Sequence, residues 1–289
     1  MKQHTASKTA RYMALFRAME TRRPAGERLF SDPYAARFLP GILRLAAKLF
    51  ARPGMRTLLT RYIVKRIPGA MSSAQARTRY IDDLLLQTLP HSRQLIILGA
   101  GFDTRALRLP ALQQLPVIEI DHPATAARKQ QALQHMPAPA HIRYLHTDFN
   151  NESLQQLLHR QHVNLSLPGT VIWEGVTNYL TRPAIDAVFS TFAALPPGSA
   201  IIFTYVHAQV LQQPASFYGA PRLLRDLQQI GEQWLTGFHP HQLATYLQQF
   251  GLQLTANSSA DDYRNRYIPS RREDNKGYGF YYTAMAVIP

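Results

Sequence analysis

The sequence of 289 residues contains no cysteine, which excludes disulfide bonds, thiolate metal sites and a cysteine nucleophile. It also lacks any apolar run close to the roughly 18–20 residues that a membrane-spanning helix needs. The first residues contain no apolar segment ahead of a small-residue cleavage site, so we expect no signal peptide. Together these absences favour a globular protein of the cytoplasm.

Acidic residues are scarce at the start of the chain. Residues 1–80 hold 17 Lys and Arg against three acids, so this segment carries the whole formal net charge of +14. The rest of the chain holds 15 residues of each sign and is neutral. Such asymmetry can attract nucleic acid, an anionic membrane or an acidic substrate, and it can equally be a solvated basic face.

Several catalytic and metal-binding motifs are missing as well. No Gly-x-Ser-x-Gly elbow is present for a hydrolase nucleophile, and no Gly-Lys-Ser/Thr follows the glycine-rich turn described below, which excludes a P-loop. The 11 histidines show no spacing typical of metal ligands, and Pro240 prevents His239 and His241 from forming a helical pair. We therefore expect no metal site.

What the chain does contain is a glycine-rich turn after an apolar strand. The run 95–98 ends in Gly99-Ala100-Gly101, and residues able to begin a helix follow. This order predicts the start of a βαβ unit, in which glycine lets a ligand approach the backbone. About twenty residues later, strand 117–120 ends at Asp121, an offset at which an acid can bind ribose hydroxyls. Because Thr104 replaces the third glycine of a dinucleotide fingerprint, S-adenosylmethionine (SAM) fits better than NAD or ATP.

A strand–helix alternation continues from this turn. Strands are predicted at 95–98, 117–120, 142–147, 170–173 and 200–206, and helices at 125–136, 152–160 and 184–195. The spacing is typical of a parallel sheet with right-handed crossovers. After a helix at 241–250, strands near 252–258 and 279–288 should pair antiparallel, with no helix between them. The predicted fold class is therefore α/β, a Rossmann-like sheet that is mostly parallel and has an antiparallel C-terminal strand.

The segment before the first strand is predicted to be helical. One helix begins near residue 7 and ends at Pro24, and another occupies 72–89. Between them, residues 41–67 alternate apolar and basic side chains in two short helices, which can lie on a membrane surface or cover an active site. We favour the second interpretation.

The predicted domain organisation follows from these patterns. Residues 1–90 form a basic helical lid integral to the fold, and residues 91–289 form the SAM-binding core. Residues 207–238 interrupt the alternation with proline, glycine and aromatic residues, and are predicted to be a second lid.

Ligands of an open parallel sheet collect at the carboxyl ends of its strands. There, Asp148 and Phe149 combine a hydrogen-bond acceptor with an apolar face, which suits adenine. Glu174 is expected in the centre of the crevice, near the ammonium group of SAM. Each acid could instead cap the helix after its strand. His207, after the fifth strand, is the best candidate base for a hydroxyl acceptor, although an ordinary loop histidine is the alternative.

Several stretches, taken in order, resemble the class I SAM-dependent methyltransferases of the leucine carboxyl methyltransferase group, including bacterial polyketide O-methyltransferases. The likeness covers nearly the whole chain. It rests on Thr9-Ala10-Arg11, Arg17-Ala18-Met19-Glu20, Asp32-Pro33-Tyr34-Ala35, Ala76-Arg77-Thr78-Arg79-Tyr80-Ile81-Asp82-Asp83, Leu98-Gly99-Ala100-Gly101-Phe102-Asp103-Thr104-Arg105, Glu119-Ile120-Asp121-His122-Pro123, Asp148-Phe149 and Trp173-Glu174-Gly175-Val176-Thr177-Asn178-Tyr179-Leu180.

The resemblance implies roles for individual residues. Arg77 would hold the SAM carboxylate with help from Lys8, Asp121 the ribose, and Glu174 the ammonium group. Without the resemblance, Arg77 and Arg79 would simply pair with Asp82 and Asp83 along their helix. The full implied cofactor set is Lys8, Arg77, Gly99, Ala100, Gly101, Asp121, His122, Asp148, Phe149 and Glu174. Tyr179 would face the substrate, so the candidate catalytic residues are Glu174, Tyr179 and His207.

The resemblance also implies methylation of a carboxylate on a small organic or polyketide-like acid. Methyl transfer from a sulfonium needs mainly orientation, and a carboxylate acceptor needs no base whereas a hydroxyl does. The basic N-terminal region would attract the acid. An RNA or DNA methyltransferase is the competing class, but residues 1–80 offer few aromatic platforms, so we do not expect a nucleic-acid partner. Methylation of a protein's C-terminal carboxylate and SAM binding without catalysis remain open.

Overall fold

A seven-stranded sheet forms the centre of the fold. The computed structural model describes residues 8–137, 139–148, 152–270 and 276–289. Its strands are β1 (Gln94–Leu98), β2 (Val117–Asp121), β3 (Ile142–His146), β4 (Gly169–Trp173), β5 (Ala200–Val206), β6 (Gln253–Ser259) and β7 (Tyr281–Val287).

The strand order is β3-β2-β1-β4-β5-β7-β6. Strands β1 to β5 pair in parallel, and β7 runs antiparallel to both of its neighbours, β5 and β6. This arrangement confirms the predicted Rossmann-like sheet, mostly parallel with an antiparallel C-terminal strand. The order changes direction at β1, and the crevice between the ends of β1 and β4 is where such sheets bind ligands.

The central strands are buried on both faces. Every residue of β1, β4 and β5 is buried, as expected for strands covered by helices on either side. Successive side chains of β1 enter different cores: Leu95 and Ile97 pack on one face, and Ile96 and Leu98 on the other. The two cores hold the carboxyl ends of the parallel strands at one edge.

The helices of the described residues lie around this sheet. They are α1 (Lys8–Thr21), α2 (Gly41–Leu49), α3 (Pro53–Arg66), α4 (Ala70–Thr88), α5 (Arg105–Arg108), α6 (Pro123–Leu133), α7 (Leu154–Arg160), α8 (Arg182–Phe192), α9 (Gln209–Gln212), α10 (Ala220–Ile230), α11 (Leu243–Gln248) and α12 (Ala260–Tyr267). Helix α4 is buried along most of its length and packs against α1 and α12. None of the helices within the described ranges is long and apolar enough to cross a lipid bilayer.

The prediction that no helix separates the last two strands is wrong. Helix α12 lies between β6 and β7, although these strands pair antiparallel as predicted. Its first turn is closed by a capping box: Asp262 N–H donates to Ser259 Oγ (3.2 Å), and Ser259 N–H donates to Asp262 Oδ2 (2.8 Å). The Ser-x-x-Asp spacing was a helix signal present in the sequence.

Candidate cofactor and acceptor site

The turn after β1 requires two glycines for different reasons. Gly99 and Gly101 have φ of +68° and +51°, values that other L-residues rarely adopt. A Cβ on Gly99 would lie 2.5 Å from Val176 Cγ2, so Gly99 lets the turn approach the loop after β4. A Cβ on Gly101 would meet nothing closer than the Gly99 carbonyl oxygen at 3.8 Å. The backbone at Gly101 is therefore open to a ligand.

Asp121 fastens the end of β2 to this turn. Its carboxylate accepts hydrogen bonds from the Gly101 N–H and, at 2.6 Å, from the His122 N–H. Burial raises the pKa of Asp121, although both N–H donors oppose the shift. The His122 side chain has a local partner, since its Nδ1 accepts from the Ala124 N–H at 3.2 Å and caps α6. Asp121 therefore lies directly beside the backbone that Gly101 leaves open.

Glu174 follows β4 and lies between two arginines. Its Oε1 accepts from Arg77 Nε and its Oε2 from Arg105 Nη1, both at 2.9 Å. Although burial alone would raise the pKa of Glu174, the guanidinium groups of Arg105 and Arg77 lower it. Glu174 is therefore a carboxylate, and its pair with Arg77 presents one negative and one positive group side by side.

The alternative partners predicted for α4 are correct only in part. Arg79 does pair with Asp83, at 2.9 Å. Asp82 instead accepts from Arg105 Nε at 2.8 Å and from Arg108 Nη2 at 2.7 Å. Arg77 instead pairs with Glu174, which follows β4, whereas α4 itself packs against β5 and β7.

Arg105 is the centre of a buried ionic network. It pairs with Asp82 on α4, with Asp103 in the glycine turn and with Glu174 after β4. Burial would raise the pKa of Asp103, but Arg105 and Lys129 bring it to about 2. The Arg105 side chain thus connects three chain segments that meet at the site. This role was not predicted from the sequence.

A second buried pair lies beneath Asp121. Glu119, two residues earlier on the same face of β2, accepts from Lys129 Nζ of α6 at 2.6 Å. Both side chains are 2% exposed, and Lys129 also donates to the Asp103 carbonyl oxygen. Burial raises the pKa of Glu119, and Lys129 opposes that shift. This pair and Asp121 line a small cavity that also includes Gly101 and Tyr144.

The wall beside the Arg77–Glu174 pair is built from α1 and from residues far along the chain. Met13 Sδ lies 3.3 Å from Arg77 Nη2, and the Tyr281 ring centroid lies 4.8 Å from the Arg77 guanidinium carbon. Tyr179 follows β4 and is bordered by Thr9 and by Trp234. Its pKa is raised chiefly by burial, so its hydroxyl stays protonated.

Glu232 belongs to the same wall and was missed in the sequence. It is 9% exposed, and its Oε2 accepts a 2.5 Å hydrogen bond from the Thr9 hydroxyl. The neighbouring backbone is also fixed here, because Leu235 N–H donates to the Asn178 carbonyl oxygen at 2.7 Å. A buried carboxylate is therefore held close to Tyr179. Only its position within 207–238, the predicted second lid, could have suggested it.

His207 lies at the end of β5 in a different group of side chains. Its Nδ1 accepts from the Gln209 N–H at 3.1 Å, which leaves Nε2 as the protonated nitrogen of the neutral ring. The ring centroid lies 5.4 Å from that of His239 and 5.5 Å from that of Phe217. Burial and the neighbouring histidines lower the pKa of His207. None of these contacts joins it to Glu174 or Tyr179.

Three further predicted site residues can be located only in part. Asp148 is partly buried just beyond β3, and the preceding Thr147 N–H donates to the Asp121 carbonyl oxygen at 3.1 Å. Phe149 and the side chain of Lys8 lie outside the described residues, although α1 begins at Lys8. Within the described part of the chain, no group of three His, Asp or Glu side chains is arranged to hold a metal ion.

Comparison with known families identifies this arrangement. A family model described as leucine carboxyl methyltransferase matches residues 10–193. The chain belongs to this family. The matched segment includes the glycine turn, Asp121, Glu174 and the contact of Met13 with Arg77.

Similar proteins support this membership of the leucine carboxyl methyltransferase family. YktD of Bacillus subtilis (strain 168), a proposed S-adenosyl-L-methionine-dependent methyltransferase, is 30% identical over 206 residues, 69% of this chain and 67% of YktD. A relative of the same description from Mycobacterium sp. (strain MCS) is 34% identical over 119 residues, 40% of this chain and 46% of that protein. The matches thus span between about half and two thirds of these relatives. The chain is a SAM-dependent methyltransferase, and SAM is its cofactor.

Solved structures share the fold of this family member. A DUF574 family protein from Streptomyces avermitilis MA-4680 superposes with a TM-score of 0.57 at 15% identity, covering 95% of this chain and 97% of its own. A proposed methyltransferase from Thermobifida fusca YX gives a TM-score of 0.54 at 17% identity, covering 93% and 97%. Both confirm the class I methyltransferase fold predicted from the sequence.

Proposed function

We propose that this enzyme transfers the methyl group of SAM to a carboxylate oxygen of a small organic or polyketide-like acid. The proposal rests on one observation: the candidate bases described at the strand ends already accept hydrogen bonds from other groups of the protein. Asp121 is bonded to backbone N–H groups, Glu174 to two arginines, and His207 Nδ1 to a backbone N–H. A carboxylate acceptor is already ionised near neutral pH and needs none of them.

The residues present fit SAM, and we propose the following placement. The backbone of Gly99, Ala100 and Gly101 runs along the methionine portion, for which Gly101 leaves room. Asp121, which is next to His122, accepts hydrogen bonds from the ribose hydroxyls. The adjoining Arg77 and Glu174 match the carboxylate and ammonium groups of the methionine end, because their charges are opposite to those of the ligand. Lys8, Asp148 and Phe149 complete this proposed set. When bound, SAM supplies a methyl group on a sulfonium that needs no further activation.

Helix α1 then acts as a cap on the acceptor side. It contacts Arg77 through Met13 and Glu232 through Thr9, and Arg17 Nη2 donates to the Phe102 carbonyl oxygen at 2.5 Å. These contacts hold α1 against the glycine turn and exclude water from the place where the acceptor is oriented. We propose this role for α1 among the N-terminal helices, with residues 91–289 as the core that binds SAM.

Glu232 favours a second candidate, methylation of a hydroxyl. A buried carboxylate that accepts a single described hydrogen bond from Thr9 can take a proton from a phenol or alcohol. The same charge would repel a carboxylate acceptor at close range. The effect of removing this one charge on KM and kcat should therefore distinguish a carboxylate acceptor from a hydroxyl acceptor.

We expect Glu232→Gln to lower KM for carboxylate acceptors roughly fivefold. The reason is that the substitution removes about 1 kcal/mol of repulsion between the Glu232 carboxylate and the acceptor. The measurement is SAM turnover with a panel of organic acids, phenols, a peptide with a free C-terminal leucine and an RNA oligonucleotide, with products identified by mass spectrometry. Glu27→Gln, a change at an exposed carboxylate that lies outside this wall, is the matched control.

The other outcome is equally specific. If only phenols or alcohols are methylated and Glu232→Gln lowers kcat by about a hundredfold or more, Glu232 is the general base and the acceptor is a hydroxyl. Turnover of the peptide or the RNA alone would instead identify a macromolecular acceptor and overturn the small-acid proposal.

A further inference from the structure

Large apolar side chains are concentrated on the outside of α2 and α3. The four most exposed of them among the described residues are Ile42 (78%), Tyr62 (67%), Leu58 (60%) and Leu45 (55%). Ile42 and Leu45 are three residues apart on α2, and Leu58 and Tyr62 are four apart on α3, so each pair lies on one helix face. Scattered exposed leucines are normal, but this concentration on two successive helices indicates an interaction surface.

The same helices carry positive charge without acids to balance it. No Asp or Glu occurs between Asp32 and Asp82 in the sequence. The basic residues of α2, α3 and their flanks are Arg37, Arg44, Lys48, Arg52, Arg56, Arg61, Lys65 and Arg66. Arg56 pairs with Glu27 at 3.3 Å, and the described ion pairs include no other member of this group. Most of the charge excess of residues 1–80 is therefore displayed here.

The inner faces of α2 and α3 are anchored to the protein. Ala47 and Phe50 are buried beside α2, as are Thr60 and Ile63 on α3. The contacts to the cofactor and acceptor site described above come from α1, and α2 and α3 supply none of them. The exposed apolar and basic residues are thus not accounted for by packing or by the reaction.

We propose that the outer faces of α2 and α3 dock on the surface of an anionic phospholipid bilayer. Helices with aliphatic and tyrosine side chains beside Lys and Arg bind in the plane of such a surface, with apolar groups at the acyl boundary and cations among the headgroups. A second copy of this chain does not suit the surface, since a two-fold contact would place these cations against one another. Nucleic acid would leave Ile42, Leu45 and Leu58 exposed to water.

The proposal is tested by sedimentation of the full-length protein with phosphatidylcholine vesicles that contain phosphatidylglycerol, and with vesicles of phosphatidylcholine alone. We expect binding to the anionic vesicles only, weakened by salt. Ile42→Gln together with Leu58→Gln should reduce binding about tenfold or more, because buried apolar area is lost. Each of Lys48→Gln and Lys65→Gln should reduce it about fivefold.

Matched controls come from exposed positions elsewhere. Leu167→Gln, Leu235→Gln and Arg93→Gln each replace an exposed leucine or an exposed cation outside α2 and α3, and should leave vesicle binding unchanged. Thermal unfolding checks that every variant is folded. Three results overturn the proposal: no binding to the anionic vesicles, equal losses in the control variants, or a concentration-dependent dimer that Ile42→Gln dissociates. Preferential, salt-sensitive binding of an RNA duplex over anionic vesicles would assign the surface to nucleic acid instead.

Discussion

An Arg105→Leu protein is expected to lose about 3–5 kcal/mol of unfolding free energy. Arg105 is 3% exposed and bonds to Asp82, Asp103 and Glu174. Leucine, which is shorter and has no hydrogen-bond donor, would leave these three carboxylates short of a cation where water cannot replace it. Urea unfolding followed by circular dichroism measures the loss, and SAM affinity should fall with it because the glycine turn and Glu174 lose their common support.

The control is Arg79→Leu on the same chain. Arg79 pairs with Asp83 at a similar distance, 2.9 Å, but its side chain is 43% exposed. Water can therefore solvate both partners after the change, and the expected cost is under about 1 kcal/mol. Equal losses in the two variants would show that burial of the Arg105 network does not contribute to stability.

Acid should weaken the same network in the wild-type protein. The pKa of Asp103 is about 2 in the folded chain against an ordinary value of 3.8. A carboxyl with a lowered folded-state pKa contributes stability above its unfolded value, and that contribution is lost as pH falls through the folded pKa. Asp103 alone should account for about 2–3 kcal/mol lost between about pH 5 and pH 2. In Arg105→Leu this acid-dependent part should shrink, which pH-dependent urea titrations can measure.

The order of strands and helices could be predicted because it depends on local sequence patterns. Apolar runs at 95–98 and 171–173 indicate strands covered on both sides, and Gly99 and Gly101 mark the turn between strand and helix. Parallel pairing then brings the residues after β2 and β4 to one edge without further information. This is why the sequence could predict that Asp121 and Glu174 lie at this edge of the sheet.

The charge pairing could not be predicted, because it depends on how elements pack. Asp82 lies close in sequence to Arg79, yet it bonds to Arg105 and Arg108, which the packing of α5 places against α4. Arg77 finds its partner 97 residues away. Glu232 reaches Thr9 across 223 residues. Helical spacing gives a list of possible partners, and only the tertiary structure selects among them.

Arg77→Ala and Asp121→Ala are expected to weaken SAM binding by about a hundredfold each, since each removes charge-assisted hydrogen bonds worth about 1.5–3 kcal/mol apiece. The two losses should differ with the ligand, because we place these residues at opposite ends of SAM. Methylthioadenosine carries the ribose and adenine but no amino-acid end. Its affinity should fall in Asp121→Ala and stay unchanged in Arg77→Ala.

Calorimetric titration of both ligands into the three proteins therefore tests the placement of the site as well as the cofactor itself. Arg105 still pairs with Glu174 in Arg77→Ala, so the loop after β4 keeps a partner and the variant should remain folded. Asp121→Asn gives a graded step, because its amide oxygen can still accept one hydroxyl while the charge is gone. If Arg77→Ala weakened both ligands equally, Arg77 would act through the fold, and its pair with Glu174 could not be the group that recognises the methionine end.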